Sequence, residues 1–70
     1  MPLHDNIRKL RKRKVLSQRD LAQKCGLNIT TITRIETGRH EPQYGTIRKI
    51  ASALEVPPEE LMMERPRLPD

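Results

Sequence analysis

The chain is nearly without aromatic residues, having no Phe, no Trp and a single tyrosine, Tyr44. That scarcity excludes the stacking platforms on which unpaired bases are held, so single-stranded nucleic acid binders and RNA-recognition sheets fit poorly. A duplex partner needs no aromatic. Cysteine is as scarce: Cys25 stands alone, which excludes an internal disulfide and a thiolate cluster. His4, Cys25 and His40 are scattered without metal-ligand spacing, and neither a metal nor a cofactor is expected. There is no paired base and nucleophile and no phosphate loop, so the chain is not expected to be an enzyme. No run approaches the roughly 20 apolar residues needed to span a membrane. No apolar leader opens the sequence either, and the expected location is cytoplasmic.

What is abundant is positive charge, and it is unevenly placed. Residues 1–40 hold ten Lys/Arg against three Asp/Glu, whereas residues 41–70 hold four against six. A basic front half on a chain of net charge +5 points to a polyanion partner, with a solvated basic helix face as the alternative. At 70 residues there is room for one domain with a small core and none for a separate sensing domain.

The apolar pattern has a helical period throughout, in short pieces, and predicts an all-helical domain of five helices. Leu3, Ile7 and Leu10 line one face of a first helix over residues 4–14. Ser17 reads as an N-cap with Asp20 three residues on, an arrangement like a capping box. It opens a second helix over residues 18–25 with Leu21, Ala22 and Cys25 inward, a placement that makes Cys25 a small, inert hydrophobe. Gly26 is suited to end that helix in a left-handed conformation. Asn28 caps a third helix over residues 29–37, which Gly38 terminates. Tyr44, Ile47, Ile50, Ala51 and Leu54 mark a fourth, and Pro58 fits the first turn of a short fifth. The domain is expected over residues 7–61 and a loose tail over 64–70. Two short helices joined by a tight turn containing Gly26 form a helix-turn-helix unit, about residues 18–37.

The third helix is sorted by side. At about 3.6 residues per turn, Ile29, Thr30, Thr33, Arg34 and Thr37 share one face and Ile32 and Ile35 the other. Threonine is a weak helix former, so four threonines within residues 30–37 make little sense as a solvent face and more as a surface fitted to a groove. Threonine hydroxyls bond base edges or phosphates, while threonine methyls and Ile29 suit thymine methyls. Arg34 offers the fork that matches guanine O6 and N7; its alternatives are a phosphate contact or an ion pair with a neighbour such as Glu41. Gln18 and Arg19 open the second helix, where free N–H groups favour phosphate. Arg39 and His40 follow Gly38 and are placed to grip a backbone. Lys12, Arg13 and Lys14 add to the general field.

The stretches LSQRDLAQKCGLNITTITRIETGRHEP (residues 16–42) and IRKIASALEVPPEEL (residues 47–61) resemble the lambda-repressor/Cro family of helix-turn-helix proteins, often labelled XRE. The resemblance implies a compact five-helix domain whose third helix enters the major groove of double-stranded DNA. Gln18 matches the family's glutamine that contacts the backbone and nearby bases. Asn28 caps the reading helix, and Ile29, Thr30, Thr33 and Arg34 match base-reading positions. Arg11 and Glu36 match a pair that links helix 1 to the end of helix 3 and orients the arginine toward phosphate. Val15 and Glu55 stand where the family often has glycine, and a β-branched Val15 is expected to avoid positive φ. Pro57 replaces the usual Ser/Thr cap.

These readings converge on a sequence-specific regulator of transcription, a repressor acting as a homodimer on an inverted-repeat operator. Leu61, Met62, Met63 and Leu68 are the candidate interface, with Leu61 and Met62 alternatively in the core. An antitoxin with a toxin as partner, a restriction–modification controller and a protein-interaction adaptor are the alternatives.

Overall fold

The computed structural model describes residues 3–62, in which five helices follow one another: α1 (Leu3–Arg13), α2 (Gln18–Cys25), α3 (Ile29–Glu36), α4 (Tyr44–Leu54) and α5 (Pro58–Met62). None of them is long and apolar enough to cross a membrane. The α1 helix keeps Ile7 fully buried and collects Arg11, Lys12 and Arg13 in its last turn, where the helix dipole favours cations. Ser17 and Asp20 form a true capping box on α2: the Asp20 N–H donates to Ser17 Oγ at 2.9 Å and the Ser17 N–H to Asp20 Oδ2 at 2.9 Å. Asn28 Oδ1 accepts from the Thr30 N–H at 2.8 Å and so caps α3.

The first four helices all end in the same way. The N–H of Leu16, Leu27, Arg39 and Val56 reaches back to the carbonyl of Arg11, Ala22, Arg34 and Ala51 respectively, at 2.9–3.1 Å. The preceding residue in each case is left-handed: Val15 at φ 59, Gly26 at φ 70, Gly38 at φ 77 and Glu55 at φ 60. These are Schellman closures, which satisfy the last carbonyls of a helix only if one residue takes positive φ. Val15 therefore departs from the expectation that it avoids this region. Its side chain is 88% exposed, and the closure turns Leu16 back against the core. Burial of Leu16 and two hydrogen bonds outweigh a strain of about 1–2 kcal/mol.

The core is a single cluster built around Ile7, Leu21, Ile32, Ile35, Ile50 and Leu54, all 0–1% exposed. Helix α2 packs on α3 and α4, while α1 and α5 close the other side. Ala22, 3% exposed, lies in the α2 face that the neighbouring helices cover. Cys25 is buried, its Sγ 3.9 Å from the Lys49 carbonyl, and burial pushes its thiol up, which favours the protonated form. Leu61 is fully buried, and the Asn6 side chain donates to its carbonyl at 2.9 Å. It is thus a core residue and not an interface residue. Met62 remains exposed, and Met63, Leu68 and the tail lie outside the described residues.

Candidate nucleic-acid interface

The inward face of α3 carries Ile32, Ile35 and Glu36, each 0–1% exposed, and this burial fixes the rotation of the helix. Its opposite face presents Ile29, 40% exposed, together with exposed Thr30, Thr33, Arg34 and Thr37. Asn28 and Arg39 are exposed at its two ends, and Gln18, half-buried, and Arg19, exposed, lie at the start of α2. An exposed isoleucine beside three threonines is an apolar and hydrogen-bonding surface at once, and the free guanidinium of Arg34 gives it charge. Among the described residues Arg34 makes no ion pair, so the pairing with Glu41 considered from sequence is not formed.

Behind this face runs a chain of side-chain hydrogen bonds across three helices. Arg11 Nε and Nη2 donate to the Glu36 carboxylate at 2.6 and 3.1 Å, and Arg11 Nη1 donates to the Leu16 carbonyl at 2.7 Å. Glu36 Oε1 also accepts from Gln18 Nε2 at 3.1 Å, and Gln18 Oε1 accepts from the Thr33 hydroxyl at 3.0 Å. The ion pair implied by the resemblance is thus present. It is bidentate and out of solvent, the geometry in which a buried pair is well satisfied. Arg11 itself, 9% exposed, stands apart from the outward face, with three of its N–H groups engaged inside the protein.

Sequence reasoning did not find the bonds from Gln18 to both Glu36 and Thr33. Thr33 and Glu36 are three apart on one helix, which places them side by side, but nothing local says that Gln18 comes between them. Nor did it single out Lys24, Arg48 and Lys49, which line a basic groove between α2 and α4.

A capped helix, a left-handed glycine turn and a second capped helix with a sorted outer face make this a helix-turn-helix fold of the XRE type. The chain matches the helix-turn-helix family HTH_3 over residues 7–61 and belongs to it. Curated relatives include the HTH-type transcriptional repressor RghR of Bacillus subtilis, 41% identical over 59 residues (83% of this chain, 44% of the relative). The uncharacterized HTH-type transcriptional regulator RghRB of the same organism is 40% identical over 62 residues (87% and 45%). The chain spans less than half the length of these relatives. Among solved structures, the hypothetical transcription factor NHTF from Neisseria superposes with a TM-score of 0.85 at 36% identity, over 87% of this chain and 70% of that one. The restriction–modification controller protein C.AhdI from Aeromonas hydrophila does so with 0.84 at 35%, over 86% and 91%.

Proposed function

We propose that the chain binds double-stranded DNA sequence-specifically and regulates transcription as a repressor, laying α3 in the major groove. The observation that carries this is the outward face of α3, where Ile29, Thr30, Thr33 and Arg34 stand exposed and the Arg34 guanidinium makes no ion pair among the described residues. Arg34 reads a guanine, Thr30 and Thr33 meet base edges, and Ile29 lies against thymine methyls. Gln18, Arg19, Asn28, Thr37 and Arg39 surround this patch and hold the phosphates on either side. Arg11 acts from behind by fixing Glu36 and, through it, Gln18. Residues 7–61 form the binding domain.

One reading helix covers only a few base pairs, so the chain acts as a homodimer on inverted half-sites about 34–36 Å apart, with exposed Met62 at the candidate interface. The test is selection of bound sequences from a random duplex pool, followed by Arg34→Ala. That substitution is expected to cost about 1–3 kcal/mol on the selected site, to relax preference at one position, and to weaken random-duplex binding much less. A uniform loss across sequences would assign Arg34 to phosphate instead. Binding that does not weaken as salt rises would favour a protein-interaction adaptor, because phosphate contacts impose a steep salt dependence.

The repressor reading is supported by the relative that bears that name. A second reading, a restriction–modification controller, is supported by the match to nearly the full length of C.AhdI. Locating the selected sequence in the genome separates the two: beside genes for a methyltransferase and an endonuclease it supports the controller, and elsewhere the repressor.

A further inference from the structure

We infer that Thr33 recognises an amino-bearing base, adenine or cytosine, and rejects the keto bases thymine and guanine at the position it contacts; this rests on the DNA reading proposed above. The Glu36 carboxylate sets the polarity. It is 1% exposed and, as an ionised group paired with Arg11, it can only accept hydrogen bonds. The Gln18 side chain that bonds to it must therefore turn its NH2 group inward, and the 3.1 Å contact between Gln18 Nε2 and Glu36 Oε1 has that sense. With its nitrogen held there, Gln18 points its oxygen at Thr33, 3.0 Å away. An amide oxygen has no hydrogen to give, so the Thr33 hydroxyl must donate.

The one hydroxyl proton of Thr33 is engaged inside the protein, and only oxygen lone pairs are left for a ligand. An acceptor on a major-groove reading face pairs with adenine N6 or cytosine N4 and has no partner in thymine O4, guanine O6 or guanine N7. Thr37 is fixed in the same sense, since its hydroxyl donates to the Thr33 carbonyl at 2.9 Å. Thr30 differs: its hydroxyl bonds to no described residue and is free to give or to accept. Threonines on one face are thus not equivalent, and a buried carboxylate decides what the central one can read.

The experiment selects duplex sites with the whole chain and with Thr33→Val and Thr33→Ser. Valine and threonine have similar helix propensity, so α3 is retained. The natural chain is expected to enrich adenine or cytosine over thymine and guanine at one half-site position, by about 2- to 12-fold, the range of one neutral hydrogen bond. Thr33→Ser, which keeps the hydroxyl, should retain that preference, and Thr33→Val should lose it or turn it toward thymine, whose methyl suits valine. Enrichment of thymine or guanine at the position that responds to Thr33→Val would overturn the inference, as would an unchanged site with Thr33→Val. No enrichment with any of the three chains would overturn the DNA reading itself, and this inference with it.

Discussion

Residues 17–38 and the segments flanking them close their helices with the same hydrogen bonds but with different residues. Within the helix-turn-helix unit every terminal position carries the residue its geometry favours. Ser17 and Asn28 cap, while Gly26 and Gly38 take the left-handed turns. Outside it the same turns fall on Val15 and Glu55, and Gln43 begins α4 without a side-chain cap. The unit is locally consistent, whereas its frame adopts strained conformations because packing requires them. Glu55 at least reaches Lys14, 3.6 Å away, but this pair is exposed and contributes little. The two regions are joined through the Arg11–Glu36 pair, which makes α1 a brace for the end of α3.

Cutting that brace has the largest expected effect. Glu36→Ala leaves Arg11 buried without its carboxylate and should cost about 3–5 kcal/mol in urea unfolding. The double variant Arg11→Leu/Glu36→Leu should recover much of the loss, because no charge is then stranded. A single-variant loss of under about 1 kcal/mol, the range of an exposed pair, would mean that the unit and its frame are independent.

The glycines come next, and they are not alike. A Cβ at Gly38 would lie 3.2 Å from the His4 ring, whereas one at Gly26 meets nothing within 4 Å. Gly26→Ala should therefore cost only left-handed backbone strain, about 1 kcal/mol, and Gly38→Ala about 2 kcal/mol. Equal losses in thermal unfolding would show that the contact with α1 is without consequence.

Val15→Gly reverses the sign. It relieves strain at an exposed side chain, partly offset by the greater freedom of glycine in the unfolded chain, so stability should rise by about 0.5–1 kcal/mol. A lower melting temperature would place the strain elsewhere.

The smallest effect is at Asp20. The Ser17 backbone N–H, and after it the Ser17 hydroxyl, hold its carboxyl below the usual range. A carboxyl depressed on folding supports the fold above its unfolded value near pH 3.9 and loses that support as pH falls through the lower, folded value. Asp20→Asn should flatten the acid side of the stability profile below about pH 4 and leave the helix-turn-helix otherwise intact. An unchanged acid slope would remove the capping box from the account.

Much of this fold could be read residue by residue, because its signals are local. The bounds of α2, Gln18–Cys25, follow from Ser17 and Gly26, and the outward set on α3 follows from the helical period alone. Glu36 is fully buried although it is charged, because Arg11 comes from 25 positions away to neutralise it, and no local signal shows that. Val15 was misjudged for a related reason: backbone preference is a local quantity, and it yields when Leu16 gains a place against the core. Leu61 likewise belongs to the core only because α1 and α4 both fold over it.

The amino-acid sequence by itself determined the five helices, the turn between α2 and α3, and which face of α3 is polar. Capping, glycine conformation and apolar periodicity act over a few residues and need no partner. The tertiary structure alone decided the hydrogen-bond partner of Thr33 at the centre of that face. Gln18 lies 15 residues from Thr33 and 18 from Glu36, and only packing α1, α2 and α3 together brings a buried carboxylate close enough to choose which atom of Thr33 faces outward as donor or acceptor.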